Sequence, residues 1–415
     1  MKKLIQYFLI VTLFIGFSGV LTSCEQSDSD SPFVNPEDPD KPNEGNLAES
    51  TILIYAIATN SLRANLVYDK REMLEAAANI DLKKNNILIF ETAYQIDKET
   101  GRFLDTPQIS LIKLTKKYDA YVWETIKEYD NEIPSLSPIR ISEIIDFVIQ
   151  NYKAKSMGLF FWSHSTGSQP FLNSRSFTEN SAMTYSFGQD KTTSDPEWEQ
   201  INVNELADAL PDKSFDYIWF DSCYMSNIES IYQLRNKCDY YVGYATEVCD
   251  DGNPYQLVLP YLASSKPDLK GAAMDFFRYY DEEYYYRAGT IAVTDMSKIE
   301  VLADYCRMKF TPFTLPKVSS LQKYTRNSNG PFYELGDYVK ALAELKGEEF
   351  YDEEWNNLLD ECLVYRASTP CDFNGYKINQ ERYSGISAHV YNFESSSESE
   401  NFYKSLDWFE RVFIY

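Results

Sequence analysis

Residues 215–223 read Phe-Asp-Tyr-Ile-Trp-Phe-Asp-Ser-Cys, an apolar run that ends abruptly in a polar segment at Cys223. Upstream, residues 159–164 read Leu-Phe-Phe-Trp-Ser-His, a second apolar run that ends at His164. The chain has only two histidines, which makes this position informative. Neighbouring parallel strands lie about 4.8 Å apart and end at one edge of a sheet, so these runs would bring a thiol and an imidazole together. The pattern predicts a cysteine hydrolase and favours a peptidase.

Strand-like and helix-like segments alternate around these two runs. Continuous apolar runs predict strands at 51–57, 86–90, 240–245 and 290–294. Helical segments are predicted at 74–78, 141–149, 203–210, 227–236 and 268–286. Alternation of this kind is typical of an α/β fold, here a three-layer αβα sandwich with a mainly parallel sheet.

Three regions depart from this alternation. Residues 110–114 and 118–123 predict a hairpin or short edge strands, and the polar residues 168–196 predict a long surface loop. Beyond about residue 310 the pattern loosens into helices, with one strand-like run at 385–391. We therefore expect a main domain over residues 50–310 and a smaller, mostly helical accessory region over residues 311–415 that packs on it.

The N-terminus has the features of a secretory signal. Lys2 and Lys3 precede a short apolar segment that ends in Leu21-Thr22-Ser23-Cys24. This ending resembles the lipobox of bacterial lipoproteins, which implies a signal peptide over residues 1–23 and a lipid on Cys24. An ordinary cleaved signal with a chance cysteine is the alternative.

Residues 24–49 predict a flexible tether, because they carry eight acids against one lysine and almost no large apolar side chains. The run Asp28-Ser29-Asp30 resembles the acidic export signals of Bacteroides-type lipoproteins, although an ordinary solvated linker explains it almost as well. The resemblance implies an outer membrane lipoprotein exposed at the cell surface.

The mature chain would be strongly acidic. Removal of Lys2 and Lys3 with the signal changes the formal net charge from −24 to −26. Such a charge repels nucleic acid and anionic membrane surfaces and attracts cationic substrates. We expect a monomer that touches the membrane only through its lipid and that binds proteins or peptides with basic residues.

The remaining cysteines do not follow a metal-binding pattern, because none of them forms a Cys-x-x-Cys motif. We interpret them mainly as buried thiols: Cys238, Cys249, Cys306, Cys362 and Cys371. The second histidine, His389, lies inside an apolar run and is interpreted as structural.

The predicted pair has a defined chemistry. An imidazole can accept the proton of a thiol and later protonate a leaving amine, so His164 would serve Cys223 as base and acid. A helix that begins after Cys223 would stabilise the thiolate, and backbone amides around 164–167 would stabilise an oxyanion. The alternative is that Cys223 is only a small apolar residue at a strand end.

At these residues the chain resembles the clostripain family of caspase-like cysteine peptidases. The resemblance rests on Trp162-Ser163-His164 with Thr166-Gly167, and on the segment Phe220-Asp221-Ser222-Cys223-Tyr224-Met225-Ser226. Weaker similarities lie at Thr51 to Leu62, Tyr241 to Glu247 with Gly252, Pro254 and Tyr255, and Gly385-Ile386-Ser387. Together they cover most of residues 50–395 and imply a caspase-like sheet.

The resemblance also implies roles for single residues. Cys223 would be the nucleophile, His164 the base, and the amides of Ser165 and Cys223 the oxyanion donors. Asp221 would bind the arginine or lysine after which the chain is cut, although a strand-end hydrogen-bond acceptor explains it equally well.

Further acids would extend the same pocket. Glu247, Asp250 and Asp251 are candidates for binding a basic side chain, or they are only solvated loop acids. No metal or cofactor is expected, and the acidic loops would bind calcium only weakly. Some family members cut themselves to mature, a trait that the sequence does not assign here.

Ser165 departs from the family, which usually has glycine directly after the catalytic histidine. A serine keeps the amide but restricts the backbone where a positive φ is required.

The sequence therefore leaves two main functions open: an endopeptidase, or a catalytically decayed surface protein that binds peptide or glycan. The aromatic residues of 276–280 and 284–286 would serve the second function, although their spacing is also typical of a core. A purely structural adhesin, without a pocket at these strand ends, is a third possibility.

Overall fold

The computed structural model describes residues 47–97, 99–170, 187–192, 199–310, 316–324 and 332–414. The predicted signal peptide, Cys24 and the tether up to residue 46 lie outside these ranges. Residues 171–186 and 193–198, which include much of the predicted surface loop, also lie outside them. From Leu47 onward the chain forms one compact unit.

In the described part of the chain, nine strands form one sheet. In chain order they are β1 (Ala48–Ala58), β2 (Asn85–Ile96), β3 (Phe103–Lys117), β4 (Ala120–Tyr129), β5 (Ala154–Trp162), β6 (Phe215–Asp221), β7 (Cys238–Gly243), β8 (Thr290–Asp295) and, after the short β9 (Phe332–Glu334), β10 (Leu363–Ser368). Across the sheet the order is β10-β8-β7-β6-β5-β1-β2-β3-β4. A separate two-stranded sheet pairs β9 with β11 (Ser387–His389).

The five central strands, β7, β6, β5, β1 and β2, are parallel. The flanking pairs are antiparallel: β8 with β7, β10 with β8, β3 with β2, and β4 with β3. The predicted hairpin is therefore a pair of long strands at one edge. At the other edge, β10 comes from beyond residue 310, so the expected accessory region contributes a strand to the main sheet.

Helices cover both faces of the sheet. They are α1 (Arg63–Ala76), α2 (Pro138–Asn151), α3 (Val203–Ala209), α4 (Ile228–Gln233), α5 (Tyr255–Leu262), α6 (Leu269–Arg278), α7 (Ile299–Lys309), α8 (Leu335–Lys346), α9 (Asp352–Cys362), α10 (Glu398–Lys404) and α11 (Asp407–Phe413). Buried side chains of α1, α5 and α6 pack on one face, and those of the other helices pack on the opposite face. The predicted αβα sandwich with a mainly parallel sheet is confirmed.

The strand β1 explains why both faces are covered. Leu53, Tyr55 and Ile57 belong to one hydrophobic core, whereas the alternating Ile52 and Ile54 belong to the other. Successive strand residues point to opposite faces, so a strand between two helical layers must be apolar at every position. The continuous apolar runs in the sequence reflect this double burial.

Some element boundaries differ from those predicted. The strand β1 begins at Ala48, two residues before the expected domain start. The helix expected over 268–286 ends at Arg278 and continues only as a π-helical turn over Tyr279–Glu283. The helix expected over 227–236 is α4, only six residues long.

Candidate active site

The pairing of β5 with β6 sets the position of the site. Their register runs from Gly158 opposite Tyr217 to Trp162 opposite Asp221. His164 and Cys223 each follow two residues after the last pair, at the carboxyl edge of the sheet. A cleft of about 440 Å³ opens at this edge, and both residues line it.

The imidazole of His164 is held by a turn that follows β1. Its Nε2 lies 2.8 Å from the hydroxyl oxygen of Ser61. The turn itself is fixed by the buried Asn60, whose amide donates to the carbonyl oxygens of Ile57 and Gln189, each at 3.0 Å. Because Nε2 is engaged in this way, Nδ1 is the ring nitrogen left for another partner.

Cys223 is half-buried on a loop that is tied to the segment after β7. The amide of Tyr224 donates to the carbonyl of Thr246 at 3.0 Å, and that of Ser226 donates to the carbonyl of Tyr244 at 2.9 Å. Tyr224 has a φ of 60°, a left-handed conformation that is rare for an aromatic residue. The backbone directly after the candidate nucleophile is therefore strained and held by its neighbours.

The helix after Cys223 is α4. It begins at Ile228, and its first turn is capped by Asn227, whose side chain accepts from the amide of Ser230 at 2.8 Å. Four residues separate Cys223 from this helix. The expected stabilisation of the thiolate by this helix stays a prediction.

Ser165 is buried and fits its position without backbone strain. Among the described residues, only Tyr118, Lys213 and Tyr224 combine a side chain with a positive φ, so Ser165 does not need glycine's freedom. Its hydroxyl donates to the carbonyl oxygen of Cys223. The serine thus links the loop that carries the histidine to the loop that carries the cysteine.

Asp221 lies at the floor of the cleft and is 4 % exposed. Its Oδ2 accepts from the amide of Asn253 at 3.1 Å and from the hydroxyl of Tyr255 at 2.9 Å. Its Oδ1 has no hydrogen-bond partner within the described residues. Burial raises the pKa of Asp221 to about 6, and the bonds from Asn253 and Tyr255 oppose this increase. The unpartnered oxygen is itself buried, so the carboxylate is held within the protein at the edge of the cleft.

The other predicted pocket acids are only partly brought together. Glu247 and Asp250 line the cleft beside Cys223. Asp251 is not part of that lining, and its carboxylate accepts instead from the hydroxyl of Tyr284 at 2.6 Å. The sequence placed all three in one pocket, whereas Asp251 supports a neighbouring aromatic residue.

Burial lowers the pKa of His164, while Asp250 and Glu247 oppose that decrease and Lys191 adds to it. A lowered pKa keeps the imidazole neutral near pH 7, which is the form that can accept a proton. The site therefore provides a neutral base and a thiol in one cleft.

The remaining candidates lie away from the cleft or outside the described residues. His389 is buried in β11, with its Nε2 3.1 Å from Glu400 Oε2 and its ring stacked on Tyr403 at 3.8 Å. Cys24 precedes the described residues. In the ranges described, no group of three metal-binding side chains is positioned to hold an ion, and no helix is long and apolar enough to cross a membrane.

Sequence reasoning missed the residues that support the predicted ones. Ser61 follows β1 and so could have been found from the rule that functional residues cluster at strand carboxyl ends. No local signal marked Asp69, which accepts from the indole of Trp162 at 2.7 Å, or Glu72, which accepts from the amide of Tyr255 at 3.0 Å. Burial raises the pKa of both acids, that of Glu72 to about 7.

Comparison with known proteins gives a consistent result. The model of the Clostripain family matches residues 54–353, well over half of the chain. No curated protein sequence matches this chain.

Two solved structures resemble the whole described unit. A secreted cysteine protease from Bacteroides thetaiotaomicron, bound to an irreversible peptide inhibitor, has a TM-score of 0.70 and 24% identity, and the match covers 88% of this chain and 99% of that one. An inactive zymogen protease from Parabacteroides distasonis has a TM-score of 0.68 and 28% identity, with coverage of 88% and 98%. The caspase-like architecture, the cleft and the family match lead to one conclusion: the chain belongs to the clostripain family of cysteine peptidases.

Proposed function

We propose that the protein is an endopeptidase that uses Cys223 as nucleophile and His164 as base, and that it cleaves after arginine or lysine in extracellular proteins. The observation that carries the proposal is that both side chains line one cleft, each two residues beyond the Trp162–Asp221 pair. This arrangement matches the requirement that nucleophile and base stand within reach of one substrate carbonyl.

The proposed reaction follows from the groups in the cleft. His164 takes the thiol proton, and the thiolate of Cys223 attacks the carbonyl carbon of the substrate. The amides of Ser165 and Cys223 stabilise the oxyanion. The imidazolium protonates the leaving amine, which departs and leaves an acyl-enzyme. His164 then activates a water that releases the acid product and restores the thiol.

Asp221 is the proposed specificity residue. An ionised carboxylate that lines the cleft would bind a guanidinium or an ammonium group and disfavour an acidic side chain. Glu247 and Asp250 at the rim would raise the local concentration of cationic substrates. Asp251 is proposed only as a support of Tyr284.

The proposal extends to where the enzyme acts. A lipid on Cys24 and an acidic tether would hold a monomeric enzyme at the outer membrane, with its cleft free to reach extracellular proteins. Nucleic acid is not a proposed partner. The reaction needs no cofactor, because the chain supplies nucleophile, base and oxyanion donors, and calcium would bind only weakly to the acidic loops.

The test is a panel of fluorogenic peptides that end in arginine, lysine, leucine or glutamate before the fluorophore. The wild type should release the fluorophore after arginine and lysine, and Cys223→Ala and His164→Ala should not. Cys238→Ala, which removes a buried thiol of β7 outside the cleft, is the matched control and should retain turnover. If the wild type is inactive even after limited proteolysis, the peptidase proposal fails and a peptide- or glycan-binding role is favoured.

A further inference from the structure

Four aromatic rings form a continuous row at the side of the cleft. The centroids of Tyr284 and Tyr285 are 4.4 Å apart, those of Tyr285 and Tyr286 are 4.2 Å apart, and Tyr286 meets the ring of Phe373 edge-on at 5.9 Å. Phe373 itself lines the cleft that contains Cys223. We call these four residues the aromatic wall.

Topology explains why residues so distant in sequence meet at this place. The strand β8 runs antiparallel to β7, so the residues before its start lie at the carboxyl edge of β7, and these include Tyr286. The strand β10 runs antiparallel to β8, so the residues after its end, including Phe373, lie at the same edge. Along this edge the order is therefore His164, Cys223, the loop after β7, and the wall.

The wall is held in place at several points. The hydroxyl of Tyr284 donates to Asp251 at 2.6 Å, and the side-chain amide of Asn374 donates to Glu247 at 2.6 Å. The thiol of Cys371 lies 3.6 Å from the carbonyl oxygen of Arg287 and so joins the two segments that carry the rings. These contacts connect the wall to the loop that forms one side of the cleft.

The wall is not simply part of the core. Within the same aromatic region, Phe276 and Tyr280 are fully buried and account for the packing between α6 and the sheet. In contrast, Tyr285 is 75 % exposed and Tyr286 is 52 % exposed. Adjacent exposed rings that continue into a cleft provide apolar surface for a ligand, because a bound side chain would remove that surface from water.

The position of the aromatic wall relative to His164 determines which part of a substrate would contact it. His164 must reach the leaving nitrogen, so the leaving half of the substrate lies toward β5. The acyl half must then extend past Asp221 toward β7 and β8, where the wall lies. A peptide that runs in this direction would pass Phe373 and then Tyr286.

We propose that the aromatic wall is a binding subsite for an aromatic or branched apolar side chain of the substrate, located N-terminal to the residue bound by Asp221. The proposal rests on the endopeptidase function proposed above and adds a second specificity determinant to it. The ligand is a peptide segment that combines an apolar side chain with a following arginine or lysine. Glycine at the same position would leave the rings exposed to water.

The experiment compares peptides that differ only in whether, and at which position, an apolar side chain precedes the arginine. Each carries arginine before the fluorophore and phenylalanine at one of the three preceding positions, with glycine at the other two, and an all-glycine peptide is the reference. The wild type should prefer one phenylalanine peptide over the reference by about tenfold in kcat/KM, as expected for a buried apolar side chain. In Tyr286→Ala and Phe373→Ala this ratio should fall toward one, and in Tyr286→Phe it should remain.

Controls separate this proposal from the one on which it rests. Tyr351→Ala removes a tyrosine that is 55 % exposed and lies outside the cleft and the wall, and it should keep the wild-type ratio. The same peptides are titrated into Cys223→Ala, so that binding is measured even if the wild type releases no fluorophore. No turnover together with tighter binding of a phenylalanine peptide would overturn the peptidase and support the subsite. Equal turnover of all four peptides would overturn the subsite and leave the peptidase intact, and no turnover together with equal binding would overturn both.

Discussion

The hydroxyl oxygen of Ser61 lies 2.8 Å from Nε2 of His164 and so engages that ring nitrogen. If Nε2 carries the proton, it donates to Ser61, and Nδ1 keeps the lone pair that the proposed mechanism requires. The serine belongs to the turn after β1, the strand next to β5, so three adjacent strands supply this hydroxyl, the proposed base and the proposed nucleophile.

This contact predicts that Ser61→Ala lowers kcat, because the imidazole loses the partner that fixes its tautomer and orientation. A misplaced catalytic group can reduce the rate by up to about a hundredfold, and we expect a loss of about tenfold or more. Ser61→Thr keeps the hydroxyl and should retain most of the activity. A kcat of Ser61→Ala equal to that of the wild type would show that the contact does not orient the base.

The raised pKa of Asp221 predicts a pH-dependent preference for arginine. Burial brings this pKa to about 6, so the carboxylate loses its charge as the pH falls through that value. We expect kcat/KM for an arginine peptide to fall below about pH 6 more steeply than for a citrulline peptide, whose side chain is similar in shape but neutral. In Asp221→Asn the two profiles should become parallel, with only the protonation of His164 remaining. Parallel profiles in the wild type would argue against Asp221 as the cation-binding group.

Ser165 provides a prediction about the departure from the family. Its hydroxyl donates to the carbonyl of Cys223, and a hydrogen bond of this kind contributes roughly 1 kcal/mol, or about fivefold in rate if it positions the nucleophile. Ser165→Ala and Ser165→Gly should therefore lower kcat/KM by similar factors, and Ser165→Thr should lower it less. A Ser165→Gly variant faster than the wild type would indicate instead that the serine impairs the site.

A stability prediction follows from the pairing of β5 with β6. Gly158 lies opposite Tyr217, and a β-carbon added to it would come within 2.1 Å of the tyrosine ring. Gly158→Ala should lower the free energy of unfolding by about 1–3 kcal/mol, as in other overpacked cores, and urea denaturation would measure this loss. The double variant Gly158→Ala/Tyr217→Leu should recover part of it. An unchanged unfolding midpoint in the single variant would contradict the predicted overpacking between Gly158 and Tyr217.

The fold was largely predictable because its central strands are buried on both faces. Runs such as 159–162 and 215–220 are apolar at every position, and the polar residues that follow them mark the carboxyl edge. His164, Cys223 and Asp221 were found in this way, together with the resemblance to the clostripain family. The three- and four-residue spacing of apolar residues identified α2, whose start is fixed by Ser137, which accepts from the amide of Arg140, and by Pro138 in the first turn.

What could not be predicted depends on contacts between distant parts of the chain. Asp251 precedes Gly252 in a tight turn, and only the folded loop shows that its carboxylate meets Tyr284 rather than the cleft. Phe373 lies beyond the expected boundary at residue 310, and its place beside Cys223 depends on β10 joining the sheet. The change from α6 to a π-helical turn after Arg278 was likewise not predicted, and in that turn Tyr280 donates to the carbonyl of Gly252 at 2.5 Å.

Asp221 and Cys223 are two residues apart, at the end of the same strand. A protein engineer who shifts or twists that strand would therefore move the thiol of Cys223 by a similar amount. If the two residues have the roles proposed above, selectivity and reactivity are mechanically coupled, and new preferences would be easier to evolve in the loops that surround the cleft than at this strand end.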